Sequence, residues 1–144
     1  MDFLSQLRCP GAMARIRGVD NYVQGTVGFY PTDLGILVRA EISGLPSPSG
    51  IYAFHIHEGS DCNLPGTHFN PGRQHHPYHA GDLPPLFSAN GRAFMVLLTD
   101  RFALRQIIGK TVILHSGVDD FTTQPSGNPG QILACGQIQS YGSR

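Results

Sequence analysis

The chain has 144 residues, enough for one domain with one sizeable core. Only 14% of residues are charged and the formal net charge is zero, which excludes a blanket electrostatic attraction to nucleic acid or an anionic membrane. The 40% hydrophobic share excludes a disordered chain, and no apolar run is long enough to span a bilayer.

The first residues, "MDFLSQLRCP", carry an acid at position 2, no basic cluster and no useful apolar run. They read as an N-terminal extension, residues 1–11, ahead of one domain over 12–140. A cytoplasmic protein is expected, or a periplasmic or extracellular one whose leader has been removed. There are three cysteines, Cys9, Cys62 and Cys135, so at most one internal pair forms.

Short runs of alternating apolar and polar residues follow. "AMARIRGV" (12–19), "VQGTVGFY" (23–30) and "GILVRAEISGL" (35–45) predict strands separated by turn residues. "GIYAFHIHE" (50–58) has period two, with Tyr52, Phe54 and Ile56 on one face and Ala53, His55 and His57 on the other. Residues 59–86 are rich in Gly, Pro, Asn and His and read as a long loop. Structureless loops of that length are uncommon and usually functional. Strands resume at "GRAFMVLLTD" (91–100) and "KTVILHS" (110–116), with a helical turn or crossover at 100–109. A second polar loop runs over about 117–130, before a last strand in "QILACGQIQ" (131–139). Short strands without a long amphipathic helix predict an all-β antiparallel sandwich or barrel.

Seven histidines is a high count, and six of them lie between His55 and His79. His55 and His57, two apart on a strand, point to the same side roughly 7 Å apart at Cα. His68, His76, His79 and Asp82 follow. His79 and Asp82 are three apart, which lets both converge on one ion across a tight turn. Imidazoles with one carboxylate suit a tetrahedral zinc shell, and an imidazole-rich site suits copper. Read alone, His115 at a strand end is a core or rim histidine. A hydrolase using Ser60 or Ser116 lacks a nucleophile-elbow motif.

The motifs "FHIHE", "GTHFNP", "HAGDL", "HSGVDDF" and "GQILACGQI" resemble, in order and from about Ala12 to Ile138, the copper/zinc superoxide dismutases. The resemblance implies an eight-stranded Greek-key antiparallel barrel with two long functional loops. It implies copper held by His55, His57, His68 and His115, and zinc held by His68, His76, His79 and Asp82, with His68 as the bridge. The family's spacing of eight from the bridging histidine implies His76 rather than His75. Asp119 would accept hydrogen bonds from the other nitrogens of His55 and His76, which fixes their tautomers. Cys62 and Cys135 would form the family's disulfide, leaving Cys9 without a counterpart. The implied reaction converts superoxide to dioxygen and hydrogen peroxide by alternate reduction and reoxidation of copper. In it His68 releases copper and takes up a proton.

Two departures stand out. The family places an arginine two residues before the alanine of "ACG"; here that position is Ile132. From Ser116 to Ala134 there is no Lys or Arg at all. Electrostatic guidance of superoxide is therefore expected to be weak. Arg73 is either a substitute cation or a solvated loop residue. Three functions compete: a dismutase, a non-enzymatic copper/zinc-binding paralogue for storage or delivery, and a zinc-only structural domain. Retention of His55, His57 and His115 argues against the last. No nucleic-acid or membrane partner is expected, and a homodimer is compatible with the resemblance.

Overall fold

A computed structural model describes residues 7–141. Residues 1–6 of the expected extension lie outside the described residues. Its last residue, Gly11, is already tied into the sheet: its N–H donates to Phe29 O at 2.8 Å and its carbonyl accepts from Tyr141 at 3.1 Å.

Eight strands form one antiparallel sheet: β1 (Ala12–Gly18), β2 (Gln24–Thr32), β3 (Gly35–Ser43), β4 (Ile51–His57), β5 (Asp82–Phe87), β6 (Ala93–Thr99), β7 (Thr111–His115) and β8 (Ile132–Ser140). A single helical turn, α1 (Leu104–Ile107), sits in the 100–109 connector. The order is β5-β4-β7-β8-β1-β2-β3-β6. Hairpins join β1 to β2 and β2 to β3, while β3–β6, β4–β7 and β1–β8 are longer-range antiparallel pairs. This is the expected Greek-key arrangement, curled so that β5 and β6 approach each other across an unladdered seam.

Alternation explains the curl. Ala14, Ile16, Val27, Phe29, Val38 and Ile42 point inward and are buried, while Arg15, Arg17, Arg39 and Glu41 point outward. On β4 the apolar set Tyr52, Phe54 and Ile56 joins this core. Its other set, His55 and His57, is equally buried, under the long loops rather than in the barrel.

One expectation needs correction. The stretch 59–86 is not loop throughout, because "DLPPLF" forms β5. Pro84 and Pro85 hid it, since proline donates nothing to a ladder. They fall where the β4–β5 register shifts: Leu83 opposes Phe54 and Leu86 opposes Tyr52, leaving two prolines facing Ala53. A bulge on an edge strand is a place where proline is tolerated.

Candidate metal centre

The centre is assembled where the ends of β4, β7 and β5 meet the loop of residues 58–81. Backbone hydrogen bonds stitch that loop onto β4. Glu58 N–H donates to Thr67 O and Phe69 N–H to Ile56 O, both at 2.8 Å. Ile56 N–H donates to Gly81 O at 2.8 Å. A Cβ on Gly81 would lie 2.4 Å from Ile56 O, so the close approach requires glycine. The Cys62–Cys135 disulfide ties the outer part of the loop to β8. These constraints lay His68 across the end of β4, where it forms an isolated bridge with His57.

Six histidines converge as a result. His55, His57, His68 and His115 are all buried, and one ring nitrogen from each lies within 4.8 Å of the others. A second group, His55, His68, His76 and Asp82, meets the same limit. His79 Nδ1 joins it, 3.3 Å from His68 Nδ1 and 3.0 Å from Asp82 Oδ2. Like His55, His68 belongs to both groups. Its Nδ1 faces Asp82 Oδ1 at 2.8 Å, and its Nε2 faces the other way.

Three of the rings are oriented from behind. Asp119, itself buried, accepts from His55 Nε2 at 2.8 Å and from His76 Nε2 at 2.7 Å. Gly66 O accepts from His57 Nδ1 at 2.8 Å. The nitrogens left over, His55 Nδ1, His57 Nε2, His68 Nε2, His76 Nδ1 and both nitrogens of His115, are buried without a hydrogen-bond partner. One such atom is costly, and six on five neighbouring histidines is an arrangement that protein groups alone do not satisfy. Neutral imidazole lone pairs with one carboxylate are the donor set that copper and zinc take. The residues present therefore fit both metals.

Electrostatics agree. Burial lowers His55 to about 2, helped by the neighbouring His68 and His115. Burial also lowers His57 and His115 to about 4, against the opposing influence of the Gly66 and Gly130 backbones. All three are neutral at physiological pH, with lone pairs free to donate. Burial alone would raise Asp82, but the hydrogen bond from His68 and the charges of His68, His76 and His79 leave it lowered and ionised.

The sequence-expected residues thus come together, and the adjacent pair His75 and His76 divides cleanly. His76 is buried at 2% exposure, whereas His75 is exposed. Ile132 opens β8 directly opposite His115 in the β7–β8 register, which puts the position of the missing arginine beside the cluster. Arg73 is exposed, and its guanidinium makes no hydrogen bond or ion pair among the described residues. Cys9 is free and exposed.

Sequence reasoning missed three supports. Gln124 brackets His76, accepting from its N–H at 2.9 Å and donating to its carbonyl at 2.7 Å. Gly127 packs so tightly that a Cβ would meet both Asp119 Oδ1 and His76 Nε2; its φ of +80° also favours glycine. Arg101 bonds to three loop carbonyls. The glycine-rich "SGNPG" was a signal for the second; nothing in the sequence marked the other two.

The family model for copper/zinc superoxide dismutase matches residues 23–138. The copper–zinc superoxide dismutase 2 of Aquifex aeolicus (strain VF5) is 32% identical over 148 residues, covering 89% of this chain and 86% of that protein. The copper chaperone for superoxide dismutase of Homo sapiens is 34% identical, over 92% of this chain and 54% of that protein. Among solved structures, the clock protein EA4 superposes with a TM-score of 0.81 at 31% identity, covering 93% of this chain and 97% of that one. With the strand order, the paired histidine clusters and the disulfide all in agreement, the chain belongs to the copper/zinc superoxide dismutase family.

Proposed function

We propose that the protein is a superoxide dismutase with weakened electrostatic guidance. Copper would be held by His55, His57, His68 and His115, and zinc by His68, His76, His79 and Asp82. The observation that carries this reading is His68, which lies in both donor groups with Nδ1 beside Asp82 and Nε2 unpaired, whereas His55, also in both, has its Nε2 taken by Asp119. Copper bound there supplies the one-electron redox chemistry that converts two superoxide ions to dioxygen and hydrogen peroxide. His68 is the residue suited to take and return a proton at Nε2, because its Nδ1 side is held beside Asp82 and His79. Asp119 keeps His55 and His76 in the tautomer whose Nδ1 is free. The absence of Lys and Arg from 116–134, with Ile132 opposite His115, removes the cations that would draw an anion inward.

A second reading is a non-enzymatic copper/zinc-binding paralogue that stores or delivers metal. It is favoured by the likeness to the copper chaperones and by Ile132. Metal analysis after reconstitution, with direct measurement of superoxide decay, separates the two. One copper and one zinc per chain with copper-dependent decay supports the dismutase. Stoichiometric copper without decay selects the second reading. A near-diffusion-limited rate that falls steeply with ionic strength defeats the weakened guidance.

A further inference from the structure

Arg101 lies outside the histidine cluster, in the connector between β6 and α1. Its Nη1 donates to the carbonyl oxygens of Pro77 at 3.1 Å, His79 at 3.2 Å and Asp82 at 3.4 Å. All three acceptors belong to the short segment that presents His79 and Asp82. β5 begins at Asp82, the end of that segment, and β5 and β6 are the two ends of the sheet order. Arg101 therefore spans the seam that no backbone ladder closes.

Gln124 holds the segment at His76 and β4 holds it at Gly81, which leaves its β6 side to be held. Only two residues separate His76 from His79, and one of them is Pro77, which has no amide hydrogen to anchor. The hydrogen bonds Tyr78 N–H to His75 O, Asp82 N–H to His79 O and His79 N–H to Asp82 Oδ2 shape the segment internally. None of these ties it to the β6 side. Three carbonyl oxygens also converge on one point, where their dipoles repel each other unless a donor sits between them. A charged donor makes hydrogen bonds roughly twice as strong as a neutral one. Among the described residues, no other cationic side chain bonds to this segment.

We propose that Arg101 is a positioning residue for the zinc subsite. It gathers the carbonyls of Pro77, His79 and Asp82 so that the His79 ring and the Asp82 carboxylate face one point beside His68. The proposal rests on the reading of His68, His76, His79 and Asp82 as zinc ligands.

The test uses the metal-free full chain as wild type, Arg101→Ala, Arg101→Lys and Arg105→Ala. Each is titrated with zinc against a chromophoric chelator, and separately with cobalt(II), whose visible absorption reports ligand geometry. Arg101→Ala is expected to bind zinc about 10–100-fold more weakly, the usual range for partners behind metal ligands. Its cobalt spectrum should change, while the melting temperature of its metal-free form should not. Arg101→Lys should recover most of the affinity, because an ammonium keeps the positive charge and offers three donors. Arg105→Ala should match wild type. Wild-type affinity and spectrum in Arg101→Ala overturn the proposal. So does a zinc loss that merely tracks a lower melting temperature of the metal-free protein. Should Arg101→Ala not fold, Arg101→Gln decides: weaker zinc binding supports the proposal and wild-type binding overturns it. A wild type that binds no zinc overturns the ligand assignment itself, and the proposal with it.

Discussion

The Nε2 of His76 lies 2.7 Å from Asp119 Oδ1. The other oxygen of the same buried carboxylate takes His55 Nε2 at 2.8 Å, so one side chain orients a histidine in each donor group. An asparagine there would keep the shape but set an N–H against one of the two ring N–H groups. Asp119→Asn should weaken binding of both metals by about 10–100-fold. Titration of the metal-free variant with copper and with zinc checks this, and a loss confined to one metal contradicts the shared role.

Acid should destabilise the metal-free protein well above the carboxylate range. His57 and His115 are lowered to about 4 and His55 to about 2, chiefly by burial, whereas unfolded histidines protonate near 6.5. Between those limits the unfolded chain binds more protons than the folded one, so stability falls as pH falls. Each histidine adds a slope of up to about 1.4 kcal/mol per pH unit. Below about 4, His57 and His115 protonate in the fold as well and their contribution levels off. Urea midpoints measured at several pH values from 7.5 to 4 should drop steadily, and a flat series refutes the assignment.

Cutting the Cys62–Cys135 bond should cost both stability and metal retention. The bond spans 73 residues of sequence and fastens the loop that carries His68 to β8. Removing a native disulfide from a small domain typically costs about 2–5 kcal/mol. Paired Cys62→Ser and Cys135→Ser substitutions should lower the melting temperature and speed metal loss to a chelator. Unchanged chelator kinetics would show that the backbone stitching at Glu58, Phe69 and Gly81 holds the loop unaided.

Restoring the missing cation should restore guidance. Ile132 is half-buried and opposite His115, so an arginine there would project beside the cluster of His55, His57, His68 and His115. Ile132→Arg should raise the superoxide decay rate by about tenfold or more and make it fall as salt is added. Stopped-flow decay at low and high ionic strength measures both effects. A rate that does not respond to either change would place the limitation elsewhere.

Much of this was legible in the sequence because side chains carried the signal. Alternation in "GIYAFHIHE" separated Tyr52, Phe54 and Ile56 from the two histidines, and the barrel buries the first set in its core. The family's eight-residue spacing from His68 singled out His76, the buried member of its pair. The resemblance, rather than any periodicity, pointed to Asp119 and His115. What escaped was written in the backbone. β5 is a strand in spite of its prolines, because a register shift absorbs them. Arg101 acts on carbonyl oxygens, which every residue possesses, so no partner residue advertises it. Gln124 likewise brackets the main chain of His76.

The prolines of β5 reach beyond the single molecule. A bare sheet edge displays amide hydrogens and carbonyls that template a strand from another chain. Pro84 and Pro85 withhold two amide hydrogens from a six-residue strand at the end of the sheet. The kink at their bulge breaks the straight run an incoming strand would need. The β5 edge of the barrel is thereby a poor nucleus for edge-to-edge aggregation, even with the metals stripped away.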